Sequence, residues 1–453
     1  MTVTKDITRQ EKSSLKLSIT IGKDDINLEY NELLSNYSKS IQMPGFRKGK
    51  VPKEVFLRKF GDALKEEALG KIIEKSVESV FSDETFPREN KPLPYSTPKV
   101  EDEPKLDLEK DLSFSVVYDV LPEVKIEKWQ GYTAEIPDVS IGEEDLAREL
   151  DVLRERNSIV LDKNDDEPAL EGDVVTVNYC ELDEEGAAIP GSDRDDFTYT
   201  LGSGNNAYRF DKEITGIKKG ETREFTKTYS GDDEDYPGKT KKLKVTLTSL
   251  KTKKLPDLDD DLAQDVDEKF KTLEDLKDNI RKRLDKELAQ KLKNLKINSL
   301  LEQIMEKTPV EIPESMLRLE LDSRWRNLAR RFNTDSNGLY KILGSTPNNA
   351  ESIIEEWKPD AVKALHSRLI VETLIEELKL SATEEEVENE LERMAEDSQT
   401  TKEEIKKYYE EGQMMEYLSE EIKENKFFDI LLDKNTIQTG KKTRYIDLVS
   451  NKV

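Results

Sequence analysis

The chain has 453 residues, a net charge of −26, 35% hydrophobic residues and 38% charged ones. At ~150 residues per domain this suggests roughly three domains, and so polar a composition suits several small cores and solvated helices better than one thick globule. The charge disfavours general nucleic-acid binding, because phosphates are repelled everywhere except at a local basic patch. The single cysteine, Cys180, rules out an intrachain disulfide framework and fits a reducing compartment. With one histidine, His366, Cys/His zinc centres and His-dependent catalytic dyads are nearly excluded, and neither metal nor cofactor is expected. No apolar h-region follows Met1–Asp6 and no run approaches ~18 apolar residues, so the chain reads as cytoplasmic and without a membrane partner.

Leu15, Leu17, Ile19 and Ile21 alternate with polar residues and predict a half-buried strand ended by Gly22. From Asp24 the period changes, and Ile26, Tyr30, Leu33, Leu34, Tyr37 and Ile41 mark a helix. A loop follows, Gly45-Phe46-Arg47-Lys48-Gly49-Lys50-Val51-Pro52, with Pro44 at its near edge. Pro52 suits the first turn of a second helix, whose apolar side carries Val55, Phe56, Phe60, Leu64, Ile72, Ile73, Val77 and Phe81. Pro87 to Pro98 form a turn region, and Leu112, Phe114, Val116 and Tyr118 alternate as another strand. The basic loop is thus the tip of a helix–loop–helix in a small α+β domain.

Residues 122–137 read as extended and 142–157 as helical. From Glu171 to Leu250 the chain is β-rich, with strands around Val174–Tyr179, Phe197–Leu201, Phe225–Tyr229 and Leu243–Leu250. Beyond Pro256 helices dominate: a long amphipathic one from Leu273 to Ile304, broken by Pro309 and Pro313, then several shorter ones. Met394, Met414 and Met415 stand among charges in an acidic stretch, and methionine side chains adapt readily to varied contacts. Residues 436–453 read as a flexible tail.

The loop packs Arg47, Lys48 and Lys50 beside Phe46 on an acidic chain, which suits docking to RNA or to an acidic protein edge. Its glycines allow positive φ and its prolines stiffen the ends; the bland alternative is a solvated turn. Two other motifs look sharper than they are. Gly238-Lys239-Thr240 lacks the first glycine of a phosphate loop, where Asp233 stands. Asp257, Asp259, Asp261, Asp265 and Glu268 fall at calcium-ligand positions, but Leu262 stands where the loop needs its glycine. An acidic lead into a helix N-terminus is the better reading.

The order of features resembles the trigger factor family of bacterial chaperones. That family's N-terminal domain carries a ribosome-binding signature G-F-R-x-G-x-x-P between two helices, matched at 45–52 without departure. The resemblance covers essentially the whole chain, including Tyr118-Asp119-Val120-Leu121-Pro122-Glu123-Val124, which is similar to the family's exit from its first domain. It implies that the loop sits on the large ribosomal subunit at the tunnel exit, touching both a ribosomal protein and rRNA. Phe46 is then the apolar contact and Arg47 and Lys48 the charge contacts, with Lys50 beside them, while Gly45, Gly49 and Pro52 set the shape.

Leu201-Gly202-Ser203-Gly204 through Phe210 to Ile214–Glu221 resembles the core of FKBP-type prolyl isomerases. The resemblance implies Phe210 as pocket floor, Tyr179, Phe197 and Tyr229 as walls, and Tyr236 in place of a further pocket tyrosine. The chemistry needs no nucleophile: an X–Pro amide rotates over a barrier of ~18–20 kcal/mol, which a dry apolar pocket helps to lower. This chain departs from the family at Ala207-Tyr208-Arg209, where Ile-Pro-Gly is usual, and at Ser230–Asp235; both departures are expected to bring polar groups near the pocket. An active isomerase and an inert peptide-binding module both remain open here.

The expected fold is therefore multidomain α+β. A small α+β ribosome-binding domain (1–112) precedes a linker packing with the C-terminal region (113–160). An FKBP-like antiparallel β domain (161–250), a long all-α C-terminal arm domain (251–435) and the tail (436–453) follow. The expected function is an ATP-independent chaperone for nascent and unfolded polypeptides that also self-associates off the ribosome.

Overall fold

The computed structural model describes every residue except 1–2, 45, 48, 103, 232–235, 345–348 and 451–453. The chain divides into two compact units, residues 1–136 with 294–438 and residues 137–293 with 439–453.

In the first unit, strands β1 (Val3–Arg9) and β2 (Ser14–Ile21) lead into helices α1 (Lys23–Ser40) and α2 (Lys53–Ser82). Strands β3 (Lys99–Val100) and β4 (Leu112–Asp119) complete an antiparallel sheet of order β1-β2-β4-β3. Alternation along β2 places Leu15, Leu17, Ile19 and Ile21 directly opposite Tyr118, Val116, Phe114 and Leu112. All of them are buried, so each cross-strand pair is an apolar contact of the core. The buried residues of α2, from Phe56 through Leu64, Ala68, Ile72 and Ser76 to Val80, fall at four-residue multiples and form one stripe against that sheet. Asp24 and Asp25 in the first turn of α1 and Lys39 in its last complement the helix dipole.

Two expectations change here. Strand β1 was not legible, because Ile7 alone among its described side chains packs on the core. Strand β4 runs to Asp119, so the first sheet ends beyond the boundary expected at 112.

The chain continues through β5 (Thr133–Asp138) and α3 (Glu143–Arg156) into the β-rich segment. That segment comprises β6 (Ile159–Asp162), β7 (Val174–Leu182), β8 (Arg194–Thr200), the short α4 (Asp211–Ile214), β9 (Thr222–Thr228) and β10 (Thr240–Lys254). The sheet order is β6-β10-β7-β8, with β9 also paired to β10. The long β10 organises it: Thr240–Thr246 pairs with β9, Lys251–Lys254 with β6, and Lys242–Lys251 with β7 through an irregularity at Leu247/Ser249. Four residues of β10 thus lie beyond the boundary expected at 250.

Helices α5 (Asp260–Val266) and α6 (Leu273–Lys307) follow. Leu146 and Leu150 of α3 pack on Ala263, Phe270, Leu276, Ile280 and Leu284, so this part of the helical region clusters with the β-rich segment. The second unit also holds a buried ion pair. Lys163 Nζ lies 2.6 Å from Asp173 and donates to the Pro168 carbonyl, and Asp173 accepts from Leu170 N at 2.8 Å.

Back in the first unit, α7 (Glu314–Arg331), α8 (Ser336–Leu343), α9 (Ala350–Glu377), α10 (Glu384–Ser398), α11 (Lys402–Glu411) and α12 (Met415–Asp433) pack around separate small cores. Trp325 with Leu339 and Ala350 centres one of these; Leu391 with Leu418 and Ile422 centres another. Met394 and Met415 pack into that last cluster, which makes them structural residues of the helical array. The segment expected to be a flexible tail is largely built: β11 (Thr436–Lys442) pairs with β5, and α13 (Tyr445–Val449) buries Leu448. Backbone bonds from Gly131 N to Lys434 O, Thr436 N to Tyr132 O and Thr443 N to Asp138 O tie it down.

Candidate functional sites

The tip between α1 and α2 is a braced turn. Phe46 N donates to Met43 O at 3.0 Å, Lys50 N to Arg47 O at 2.9 Å and Gly49 N to Ile41 O at 3.3 Å. Met43 and Val51 are buried and anchor the loop's two legs in the domain core. Gly49 has φ +72, and a Cβ there would lie 3.0 Å from the Lys39 carbonyl oxygen, so the turn calls for glycine on two counts. What the brace presents to solvent is Phe46, 37% exposed, with Arg47, Lys50 and Pro52 also exposed. Gly45 and Lys48 lie outside the described residues. Arg47 and Lys50 make no ion pair among the described residues, which leaves their charge available to a partner.

The second site is a continuous cluster of rings. Tyr179 on β7 meets Phe197 of β8 at 5.8 Å, Phe210 at 5.3 Å and Tyr208 at 5.8 Å, all edge-on. Tyr208 stacks on Tyr236 at 5.5 Å, and Tyr236 lies 4.9 Å from Tyr229. The five expected pocket residues are therefore brought together, with Tyr208 linking Tyr179 and Phe210 to the Tyr229–Tyr236 pair. Phe210 is fully buried, Tyr179 and Tyr229 nearly so, and Phe197, Tyr208 and Tyr236 are half-buried. The Tyr229 hydroxyl donates to Tyr208 O at 2.8 Å, which fixes the bridging residue. Arg209 adopts φ +49, and Lys227 Nζ reaches its carbonyl and the Glu213 carboxylate.

Burial pushes the Tyr208 hydroxyl up to about 12, aided by Tyr236, and raises Tyr179 as well. Tyr199 is raised further by burial, with Asp211 second, and its hydroxyl has no hydrogen-bond partner among the described residues. These rings stay neutral at physiological pH, which keeps the cluster apolar in effect.

The departure at Ala207–Arg209 has two effects: Tyr208 adds an aromatic ring to the cluster, while Arg209 brings a charged group to the wall of a cavity that Tyr229 also lines, as expected; residues 232–235 lie outside the described residues. Tyr208, Tyr199 and Phe225 are cluster members that the reading of the sequence left out. A signal existed for Tyr199, which follows Phe197 by two residues on one strand and so shares its face. For Tyr208 the only cue was its nearness to Phe210. Tyr229 also lines an open cavity of about 510 Å³ whose wall includes Arg209, Asp211, Lys212 and Lys227.

The two decoy motifs resolve structurally. Asp259 caps α5, accepting from Leu262 N at 3.0 Å, so the stretch weighed as a calcium loop is a capped helix. Gly238, at φ +64, turns the chain into β10 by donating to Ser230 O. Among the described residues no grouping of His, Cys, Asp and Glu suits a metal ion, and no helix is long and apolar enough to cross a membrane.

Comparison with known proteins places both sites in context. The family model for bacterial trigger factor protein matches residues 1–153, and that for its C-terminus matches residues 272–433. The trigger factor of Treponema denticola is 44% identical over 449 residues, covering 99% of both chains. The chain belongs to the trigger factor family. The trigger factor of Treponema pallidum is 34% identical over the same length, again covering 99% of both chains. A solved structure described as "Promiscuous Substrate Recognition in Folding and Assembly Activities of the Trigger Factor Chaperone" is 24% identical. It covers 95% of this chain and 99% of that one, with a TM-score of 0.47. As a member of the family the chain is a ribosome-associated chaperone that binds nascent chains, and the family carries a prolyl-isomerase domain.

Proposed function

We propose that the chain docks on the large ribosomal subunit at the tunnel exit through its 45–52 tip, contacting a ribosomal protein and rRNA, in the cytoplasm. The observation that carries this reading is the braced turn. Met43 and Val51 are buried while Phe46, Arg47 and Lys50 are exposed, so the contact surface is prepaid in ordering entropy. Phe46 fills an apolar depression and Arg47 forks onto phosphate or carboxylate. Gly45, Lys48 and Pro52 complete the surface by their place in the signature. Release of clients needs no nucleotide if contacts are weak and distributed over the helices.

The test is cosedimentation of the full chain with ribosomes. The triple variant Phe46→Ala, Arg47→Ala, Lys48→Ala is expected to lose at least tenfold in affinity; equal binding would remove the reading.

The ring cluster supports peptidyl-prolyl isomerisation. Tyr179, Phe197, Phe210, Tyr229 and Tyr236 supply a low-dielectric surface on which a twisted prolyl amide is favoured over the polar planar one. A second reading has its own observation. Tyr208 touches both Tyr179 and Tyr236, so the cluster is filled by its own rings, as suits a peptide-binding module without turnover. A proline-peptide isomerisation assay separates the two; no detectable rate from the folded protein leaves the binding module.

A further inference from the structure

The turn that carries Tyr208 is held from both sides. Asn206 is buried, only 4% exposed. Its side-chain oxygen accepts from Phe210 N at 2.9 Å, and its amide donates to the Asp211 carboxylate at 2.8 Å. Asp211 also accepts from Gly202 N at 2.7 Å, and Arg209 N donates to Asn206 O at 3.0 Å. Across the turn, the Tyr208 carbonyl accepts from the Tyr229 hydroxyl and the Arg209 carbonyl from Lys227. Arg209 keeps φ +49 under these bonds, a conformation that a non-glycine residue holds where its surroundings impose it. The backbone from Asn206 to Asp211 is therefore fixed.

The Tyr208 side chain is held by less. It is half-buried. Its ring stacks on Tyr236, with 5.5 Å between centroids and 16° between planes, and meets Tyr179 edge-on at 5.8 Å. Tyr179 and Tyr236 are two of the walls expected of a prolyl pocket, and Tyr179 also meets the expected floor, Phe210, at 5.3 Å. A ring that touches two walls at once stands between them, in the space that a prolyl ring needs. It can leave by rotation about its own side-chain bonds while the clamped turn stays at rest.

We propose that Tyr208 is an internal plug of the prolyl site: it competes with the substrate for Tyr179 and Tyr236 and so sets the site's affinity. The assignment rests on the reading of the ring cluster as an isomerase pocket. Rotation of a partly exposed side chain is far faster than enzymatic turnover. The plug therefore acts as a population factor, and apparent affinity is the intrinsic affinity reduced by the fraction of molecules whose ring is swung out. Removing the ring lowers KM and leaves kcat in place. A wall that stabilises the twisted amide would instead lower kcat when removed.

The experiment measures isomerisation of a short proline peptide by the full chain and, in parallel, binding of the same peptide. The wild type is compared with Tyr208→Ala, Tyr208→Leu and Tyr208→Phe. Tyr208→Ala is expected to lower both KM and Kd about five- to tenfold, with kcat unchanged. Tyr208→Leu, which cannot stack on Tyr236, should shift both in the same direction by less. Tyr208→Phe keeps the ring and should restore the wild-type KM. Urea melts report whether the second unit stays folded; if Tyr208→Ala unfolds it, Tyr208→Leu decides. A raised or unchanged KM and Kd in the folded ring-less variants, or a lowered kcat, overturns the plug. If isomerisation is measurable but Kd does not fall, the plug fails and the isomerase reading stands. If no variant isomerises while Tyr208→Ala binds the peptide more tightly, the isomerase reading fails and the plug stands as the gate of a peptide-binding site.

Discussion

The tip at 45–52 and the ring cluster around Tyr179 solve opposite problems. At the tip, a few backbone hydrogen bonds and two buried anchors hold side chains out into water. In the cluster, strands from three parts of the sheet turn rings inward until Phe210 is wholly enclosed. The docking surface proposed at the tip must be exposed and pre-shaped, so its residues are adjacent in sequence. A dry pocket must be assembled from distant strands, so its residues are scattered, and each is hard to tell from ordinary core.

That contrast can be broken or sharpened, beginning with the largest effect. Asp173→Ala leaves the Lys163 ammonium buried without its partner and should cost about 3–5 kcal/mol, read as earlier urea unfolding of the second unit. Ribosome binding should persist; its loss would mean the two regions are not independent. Phe46→Ala with Arg47→Ala should weaken ribosome binding by about 2 kcal/mol or more and leave proline-peptide isomerisation unchanged. Gly49→Ala should cost about 1–2 kcal/mol in backbone strain at positive φ, seen as a lower melting temperature together with weaker ribosome binding. A Gly49→Ala protein that docks normally would show that the brace is dispensable. Tyr236→Ala should lower kcat/KM for a prolyl peptide several-fold with no change in cosedimentation.

The smallest effect is alkaline. Burial raises Tyr208 to about 12 and Tyr118 to about 12, above the ~10 of an unfolded tyrosine. The folded chain then holds protons that the unfolded chain has released. The stabilisation is complete below pH ~10 and is lost as pH rises through about 12. Tyr208→Phe should flatten that loss in the second unit and Tyr118→Phe in the first, measured by melts between neutral and strongly alkaline pH.

Much of the fold was legible because period and burial coincide. The alternation Leu15–Ile21 is the buried face of β2, and the apolar series from Leu273 to Ile304 is the inner side of α6. Strand β1 escaped because it is an edge strand whose described side chains, Ile7 apart, are exposed; only the pairing with β2 makes it a strand. Residues 436–442 escaped for the same reason: β11 has no buried side chain and is held by backbone bonds to β5. At the tip, the motif holds Phe46, Arg47, Lys50 and Pro52, which are exposed, beside Val51, which is buried. In the cluster, the family's pattern supplied Tyr179, Phe197, Phe210, Tyr229 and Tyr236, but Tyr208 stood where the pattern breaks, and only coordinates show a ring turned into the gap.

The pairing of β5 with β11 has a consequence for how the chain is made. Tyr132 N bonds Asn435 Oδ1, a contact 303 residues apart in sequence. A growing chain exposes β5 early and cannot close that ladder until synthesis has passed residue 442. Non-local pairings of this kind form slowly and leave strand edges open meanwhile. A chaperone of nascent chains is therefore itself a nascent chain with an unfinished edge for most of its translation, and the last steps of its own folding await the ribosome's release of its closing strand.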